Sequence, residues 1–255
     1  MRWIFIVVIV IIGFGCKPIK YLQRSSVQLS KPVIKVSEVF FERSTTITIS
    51  PTADNAEVVY SESENQKQKY KKPIVVRESA KISAHAFGGG FIPSDSTNIE
   101  VLKLPKNEII SITSKRPLNE KYGDGGTDLL IDRKKGSVDF NEGWLGYAGD
   151  TIVFDLEFDI IDVNHLIIST LRSQGAWIFS PAQINVYLDG KLVSHLLSEG
   201  IINEAINSNV YTKIDLPKTS ARQLKVEIIA PNMIPSWHVG VGSKPWIFID
   251  EILIY

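Results

Sequence analysis

The sequence predicts an all-β protein that contains two β-sandwiches. From Lys31 to the end of the chain, short segments of alternating apolar and polar residues recur, and this alternation is typical of half-buried strands. Turn-forming residues separate the segments at short intervals, as they do in sandwiches and barrels. Hydrophobic residues make up 44% of the 255 residues, which is enough for two cores of modest size. The one helical signal is a weak segment at 198–206.

Residues 1–16 have the features of a secretory signal peptide. Arg2 precedes an unbroken apolar run, Trp3 to Ile12, which is shorter than the roughly 20 residues of a membrane-spanning helix. A small residue precedes Cys16, as in the cleavage box of bacterial lipoproteins, although Gly13 stands where leucine is commonest. We expect Cys16 to be lipidated and to anchor the chain in the bacterial cell envelope. A plain signal peptide or an uncleaved anchor is the alternative.

The charge balance bears on the class of partner. Lys and Arg together number 28, and Asp and Glu also number 28, so no basic excess favours nucleic acid. Cys16 is the single cysteine, so an intramolecular disulfide is excluded. The polar segment 17–30 is predicted to be a tether between the membrane anchor and the folded part.

Residues 31–104 are predicted to form the first and smaller sandwich. Apolar residues alternate in "TTITIS" at 45–50 and in "AKISAHAF" at 80–87, which indicates strands with one buried face. The order of these segments around "VVYSESENQ" and "PIVV" resembles the immunoglobulin-like module attached to bacterial chitobiases and β-hexosaminidases. The Asp-Gly turn that is usual in that module is absent here. The resemblance implies that this module is a spacer.

Residues 109–255 are predicted to form the second sandwich, after a linker at 105–108 that begins with Pro105. The Asp189-Gly190 pair after "QINVYL" is a hairpin turn signal. Antiparallel strands joined by two or three long loops favour a jelly roll. The segments with strand character are "IISITS", "DTIVFDLEF", "HLIISTL", "QINVYLDG", "YTKIDL", "QLKVEIIA" and "WIFIDEILIY".

A loop rich in glycine and acidic residues, "YGDGGTDLLIDRKKGSVDFNEGWLGYAGD", follows the first of these strands. Carboxylates and turn carbonyls are the oxygen ligands that calcium prefers, but the spacing of an EF-hand is absent. From spacing alone, a cluster of solvated turns is the better explanation of the loop. Both interpretations stay open on this evidence.

The second sandwich resembles the discoidin domain, also known as the coagulation factor V/VIII type C or galactose-binding-like fold. The segments that carry the resemblance are "LIDRKKGSVDFNEGWLGY", "GAWIFSP" and "WHVGVGSKPWIFIDEI". The resemblance covers nearly all of 109–255 and is greatest to the copy at the C-terminus of bacterial β-hexosaminidases. It implies a structural calcium ion held by Asp132, Ser137 and Glu251, with backbone carbonyls near Lys135. Arg133 stands where the family more often has glycine.

The last strand contains two adjacent acids, and acids are seldom buried without a partner. Strict alternation places Glu251 in phase with Ile249 and Leu253, so Asp250 is expected to point to the opposite face. We assign Glu251 to the calcium ion. For Asp250 we expect a hydrogen-bonded or arginine-paired position.

Aromatic side chains on loops are candidates for sugar binding, because loops concentrate binding residues. Trp237 and His238 follow a proline and precede glycines, whereas Trp177 and Trp246 are predicted to lie in the core. In discoidin lectins the end loops surround the ligand. The candidate sugar-binding residues are therefore Trp237, His238, Arg172 and Trp144.

The sequence contains neither a nucleophile elbow nor a glycine-rich phosphate loop, so we expect a protein that is not an enzyme. The predicted function is capture of glycans at the bacterial surface by a calcium-stabilised, lipid-anchored module. The alternatives are a structural or protein-binding surface module and an accessory subunit of a separate glycoside hydrolase, such as a β-hexosaminidase.

Overall fold

The structure is a computed structural model that describes residues 26–63, 65–106, 108–137, 140–198 and 207–255, with backbone alone at 160 and 161. The predicted signal peptide, its Cys16 and most of the tether lie outside the described residues. So does the predicted helical segment beyond Ser198. Among the described residues, no helix is long and apolar enough to cross a membrane.

The prediction of an all-β protein is confirmed. In the described part of the chain the only helical segments are short 3₁₀ turns, such as Thr127–Leu130 and Gln174–Ala176. The strands are β1 (Val33–Val36), β2 (Phe40–Phe41), β3 (Thr45–Ser50), β4 (Glu57–Glu62), β5 (Gln68–Lys69), β6 (Ile74–Val76), β7 (Ala80–Phe87), β8 (Thr97–Lys103), β9 (Ser111–Ser114), β10 (Leu145–Ala148), β11 (Thr151–Arg172), β12 (Gln183–Leu188), β13 (Lys191–Leu197), β14 (Ser208–Ile229) and β15 (Trp246–Ile254).

The chain divides into two compact units. The smaller contains the described residues up to Lys35, with Thr48–Lys72 and Ile82–Ile99. The larger contains Val36–Ile47, Pro73–Lys81 and Glu100–Tyr255. The division into modules at 31–104 and 109–255 stays a prediction.

The strands before residue 105 form two small sheets. One has the order β1-β3-β6, and the other has the order β2-β8-β7-β4-β5. The predicted alternation is confirmed in both: on β3 the side chains of Thr45, Ile47 and Ile49 are buried, and on β7 the even-numbered residues from Ala80 to Ala86 are buried. Each strand therefore presents one apolar face to a core.

The strands after residue 109 form one seven-stranded sheet, in the order β10-β15-β11-β14-β12-β13, with β9 also paired to β11. Its core takes buried side chains from β9, β10, β11, β12, β14 and β15. The predicted hairpin is confirmed, because Asp189 and Gly190 have positive φ and connect β12 to β13. Most of the buried apolar side chains of this sheet therefore belong to one core.

Two pairs of predicted segments are in fact single strands of 22 residues. "DTIVFDLEF" and "HLIISTL" both belong to β11, and "YTKIDL" and "QLKVEIIA" both belong to β14. The two strands pair antiparallel, with register shifts between Glu157 and Ile161 and between Val163 and His165. The polar residues that looked like turns lie at these irregularities, where an extra residue bends a strand without ending it.

Candidate functional site

The acidic loop contacts the last strand through a buried ion pair. The Nζ atom of Lys135 lies 2.5 Å from Oδ2 of Asp250, whose side chain is fully buried. The backbone N–H of Gly136 donates to the same oxygen at 2.8 Å. Burial raises the pKa of Asp250 and lowers that of Lys135, and the pairing opposes both shifts. The expected hydrogen-bonded position is confirmed, but the cationic partner is lysine rather than arginine.

A β-bulge at Asp250 overturns the expected alternation of the last strand. Ser169 is opposite Glu251 and Thr170 is opposite Ile249, so Asp250 is the extra residue of β15. The core therefore takes Ile247 and Ile249 before the bulge but Ile252 and Ile254 after it. Strict alternation was wrong here, because one inserted residue reverses the phase of all that follow.

Glu251 is a buried carboxylate whose burial is only partly offset by the nearby positive charges of Lys135 and Arg133. Only 1% of the residue is exposed, and neither carboxylate oxygen has a hydrogen-bond partner of ordinary geometry in the described chain. Burial, followed by the charges of Asp132 and Asp250, raises the pKa of Glu251 to about 9, while the backbone and charge of Arg133 oppose the shift. A buried carboxylate of this kind must be protonated or must bind a cation.

The other predicted metal ligands lie on the same loop. Asp132 accepts a hydrogen bond from the Lys134 backbone at 2.8 Å, and Ser137 donates its hydroxyl to the Glu142 carbonyl at 3.3 Å. Arg133 has φ 63, so it adopts the left-handed turn for which glycine is more usual. The Asp132-Arg133 sequence therefore forms a turn although its second residue is not glycine.

The predicted ligands fit a hard cation in charge and in chemistry. Asp132 and Glu251 are carboxylates whose charges interact, and Ser137 adds a hydroxyl and a carbonyl oxygen. Oxygen donors of these types are what calcium prefers. No group of three or more His, Cys, Asp and Glu side chains that could hold a metal occurs among the described residues.

A second candidate region lies on the loop that precedes β15. Trp237 is 41% exposed there, and its ring meets that of His238 edge-on, with centroids 5.7 Å apart. The Nδ1 atom of His238 lies 3.0 Å from the Gly240 backbone N–H, and Nε2 lies 2.9 Å from the carbonyl of Gln174. These contacts assign the proton to Nε2, since Nδ1 accepts from an amide. His238 therefore links two loops, and its contact with a sugar stays a prediction.

Trp177 belongs to the same region, against expectation. The prediction that it lies in the core was wrong, because 37% of the residue is exposed. It follows the 3₁₀ helix Gln174–Ala176 and adopts left-handed φ 65 and ψ 20. The short Gly-Ala segment before it signals a turn, but the direction of the indole depends on a backbone angle that the sequence does not reveal.

Arg172 ends β11 and lines a cavity of about 280 Å³. The cavity mixes polar side chains with apolar ones, as small-molecule sites do. His238 is in contact with its wall, because its ring meets Phe179 edge-on at 5.7 Å. Of the four candidate sugar-binding residues, the structure thus groups Arg172, Trp237 and His238. Other residues lining the cavity are Gln174, Ser180, Gln183, Leu196, Ser198 and Thr212.

Trp144 lies apart from this group and is 4% exposed. Its indole N–H donates to the Ser137 carbonyl at 2.9 Å, and Lys135 Nζ lies 3.9 Å from the centre of its ring. It packs in a cluster with Leu171 and Phe248. Trp246 is partly buried and packs against the same cluster. A sugar contact by Trp144 stays a prediction.

No protein-family model matches the chain, and no curated protein matches it. The family 32 carbohydrate-binding module from Streptococcus pneumoniae EndoD is 15% identical with a TM-score of 0.39, over 60% of this chain and 97% of that chain. The C-terminal domain of a chitobiase from Bacteroides fragilis is 16% identical with a TM-score of 0.34, over 58% and 91%. A fucolectin from striped bass (Morone saxatilis) serum is 10% identical with a TM-score of 0.37, over 87% and 84%.

Proposed function

We propose that this protein binds glycans, without catalysis, through the loops at 172–182 and 233–243. The observation that carries the proposal is an exposed tryptophan, Trp237, whose ring meets that of His238. His238 is bonded to the carbonyl of Gln174, and Gln174 lines the cavity together with Arg172 and other side chains that can hydrogen-bond. An aromatic face suits the C–H surface of a sugar ring, and fixed polar groups suit its hydroxyls. Because the strands of the sandwich hold these loops, little ordering cost accompanies binding.

We further propose that calcium stabilises the binding domain through Asp132, Ser137 and Glu251. The buried, unpartnered carboxylate of Glu251 supports this assignment. A bound calcium ion would supply the positive charge that this carboxylate otherwise lacks, and an ion that binds only the folded state stabilises that state. The role of calcium is structural and is separate from sugar contact.

We also propose that the chain is a bacterial lipoprotein anchored in a membrane of the cell envelope through Cys16. The apolar run before this cysteine supports the proposal. Many copies on one membrane would offset weak single-site binding, because each further contact is then intramolecular. Mass spectrometry of the mature N-terminus tests the anchor, and an unmodified Cys16 would contradict it.

Binding to an array of neutral and acidic oligosaccharides tests the glycan proposal. The calcium-loaded chain should bind at least one oligosaccharide, and Trp237→Ala should weaken that binding at least tenfold. Leu192→Ser is the matched control, because Leu192 is also an exposed apolar residue but lies on β13. A folded, calcium-loaded protein that binds no oligosaccharide would favour the structural or protein-binding alternative.

A further inference from the structure

Trp177 has a conformation that bulky residues seldom adopt. Its φ of 65 and ψ of 20 lie in the left-handed region, where a large side chain is an outlier. Its N–H donates to the Gln174 carbonyl at 2.8 Å, and its carbonyl accepts from the Trp246 N–H at 2.8 Å. The surrounding backbone therefore imposes the conformation, and imposed strain of this kind points to a function.

The exposed indole of Trp177 is held against the loop that carries Trp237. A Cβ atom on Gly240 would lie 2.8 Å from Cε2 of Trp177, so the ring rests directly on this glycine. The same glycine donates its N–H to His238, whose other ring nitrogen is bonded to the Gln174 carbonyl. His238 and Gly240 thus hold Trp177 and Trp237 in place from one loop. We term this pair of residues the His238–Gly240 latch.

We propose that Trp177 is a second aromatic contact for the glycan, presented beside Trp237 by the His238–Gly240 latch. The inference rests on the proposed glycan-binding function. His238 and Gly240 are positioning residues, because both ring nitrogens of His238 are used within the protein and Gly240 leaves space for the indole. The exposed aromatic surface then has two parts on two different loops, and a change at either loop affects the site.

Three variants test the inference on the full mature chain. Trp177→Gly removes the indole and adopts φ 65 without strain, so its fold should be retained or improved. Gly240→Ala places a methyl group against the indole and should displace it. Leu192→Ser is again the control, because Leu192 is an exposed residue of β13 and lies outside both proposed binding loops. Isothermal titration uses the oligosaccharide that gives the strongest array signal with the wild-type protein.

The expected result is about tenfold weaker binding for Trp177→Gly and for Gly240→Ala, with Leu192→Ser unchanged; a tenfold change corresponds to about 1.4 kcal/mol. Wild-type affinity in Trp177→Gly, in a protein whose Trp237→Ala variant has lost binding, overturns the role of Trp177 and leaves the proposed function standing. Equal loss in Leu192→Ser overturns the latch, since a general disturbance of the domain would then explain the effect. A wild-type protein that binds no oligosaccharide overturns the function and this inference together.

Discussion

Lys135 Nζ lies 2.5 Å from Asp250 Oδ2, and this pair fastens the acidic loop to the last strand. The side chain of Lys135 is 10% exposed and that of Asp250 is fully buried. Solvent and salt therefore screen the attraction between the two charges only weakly. The contact is internal to the protein and needs no metal. The two adjacent acids therefore meet different partners: Asp250 has a lysine, and Glu251 is left for a cation or a proton.

Replacing Lys135 by methionine should destabilise the protein by about 3–5 kcal/mol, because it leaves a buried carboxylate uncompensated. The double variant Lys135→Met with Asp250→Asn should recover much of this loss, since the amide oxygen still accepts from the Gly136 N–H. Urea unfolding measures the free energy of unfolding of the single and the double variant. Lys134→Met is the control, because Lys134 is exposed. Equal stabilities for the two single lysine variants would show that the buried pair contributes nothing.

Removal of calcium should lower the melting temperature of the mature chain. At a free calcium concentration 100 times its Kd, linkage predicts a loss of about 3 kcal/mol, or about 5–10 °C for a chain of this size. Differential scanning fluorimetry with and without chelator measures the change. The Glu251→Gln variant should show a much smaller difference, and an identical chelator effect in wild type and variant would remove Glu251 from the site.

The pH dependence of the calcium-free protein should reveal Glu251. Its pKa is raised from 4.5 to about 9 in the folded state, so the folded protein binds this proton more tightly than the unfolded chain does. The proton on Glu251 therefore stabilises the folded state fully below about pH 4.5, and this stabilisation is lost as the pH rises toward about 9. Urea midpoints in chelator should therefore fall over this range for wild type more than for Glu251→Gln. Parallel curves would contradict the raised pKa.

With calcium present, a rise in pH should favour the folded, calcium-bound protein instead of destabilising it. The ion binds the ionised carboxylate, so binding must displace the proton. Calcium affinity at pH 8 should therefore exceed that at pH 6, and titration in buffers of different ionisation enthalpy measures the proton released. Affinity independent of pH would mean that Glu251 is ionised before the metal arrives.

Thr45 should be important to stability in the N-terminal part of the chain. Its buried hydroxyl donates to the Glu38 carbonyl at 2.6 Å and accepts from the Glu38 N–H at 3.1 Å. Thr45→Val has nearly the same volume but leaves both groups without this partner, which should cost about 1–3 kcal/mol. Thr46→Val is the control, because Thr46 is the next residue along the strand and its side chain is exposed. Similar unfolding midpoints for the two variants would contradict the prediction.

Local pattern was enough to predict most strands. The alternating segments at 45–50 and 80–87 became strands with the expected buried faces, because a face that is apolar at every second residue can be buried only as a strand. The Asp189-Gly190 turn was equally predictable, since few residue pairs tolerate its backbone angles. The short strand β10 went unpredicted, because its residues, Leu145–Ala148, lie within the glycine-rich acidic loop of the sequence.

The sequence predicted which residues belong to the candidate sites more successfully than it predicted what those residues contact. Trp237 was expected on an exposed loop and is exposed, but the exposure of Trp177 follows from a left-handed backbone angle that the sequence does not specify. The lysine partner of Asp250 could have been anticipated, because a buried acid needs a positive charge and the acidic loop contains adjacent lysines. Its identity as Lys135 required the loop to be placed against the strand.

The sequence by itself determined that this protein is built from β-strands and where most of these strands lie in the chain. It also determined that two adjacent acids fall within the last strand. Only the tertiary structure decided which way those acids point. A single inserted residue at Asp250 reverses the phase of the strand after it, and such a bulge is recognised only when the neighbouring strand shows which residues are opposite. Alternation is a local property of one strand, whereas register is a property of two.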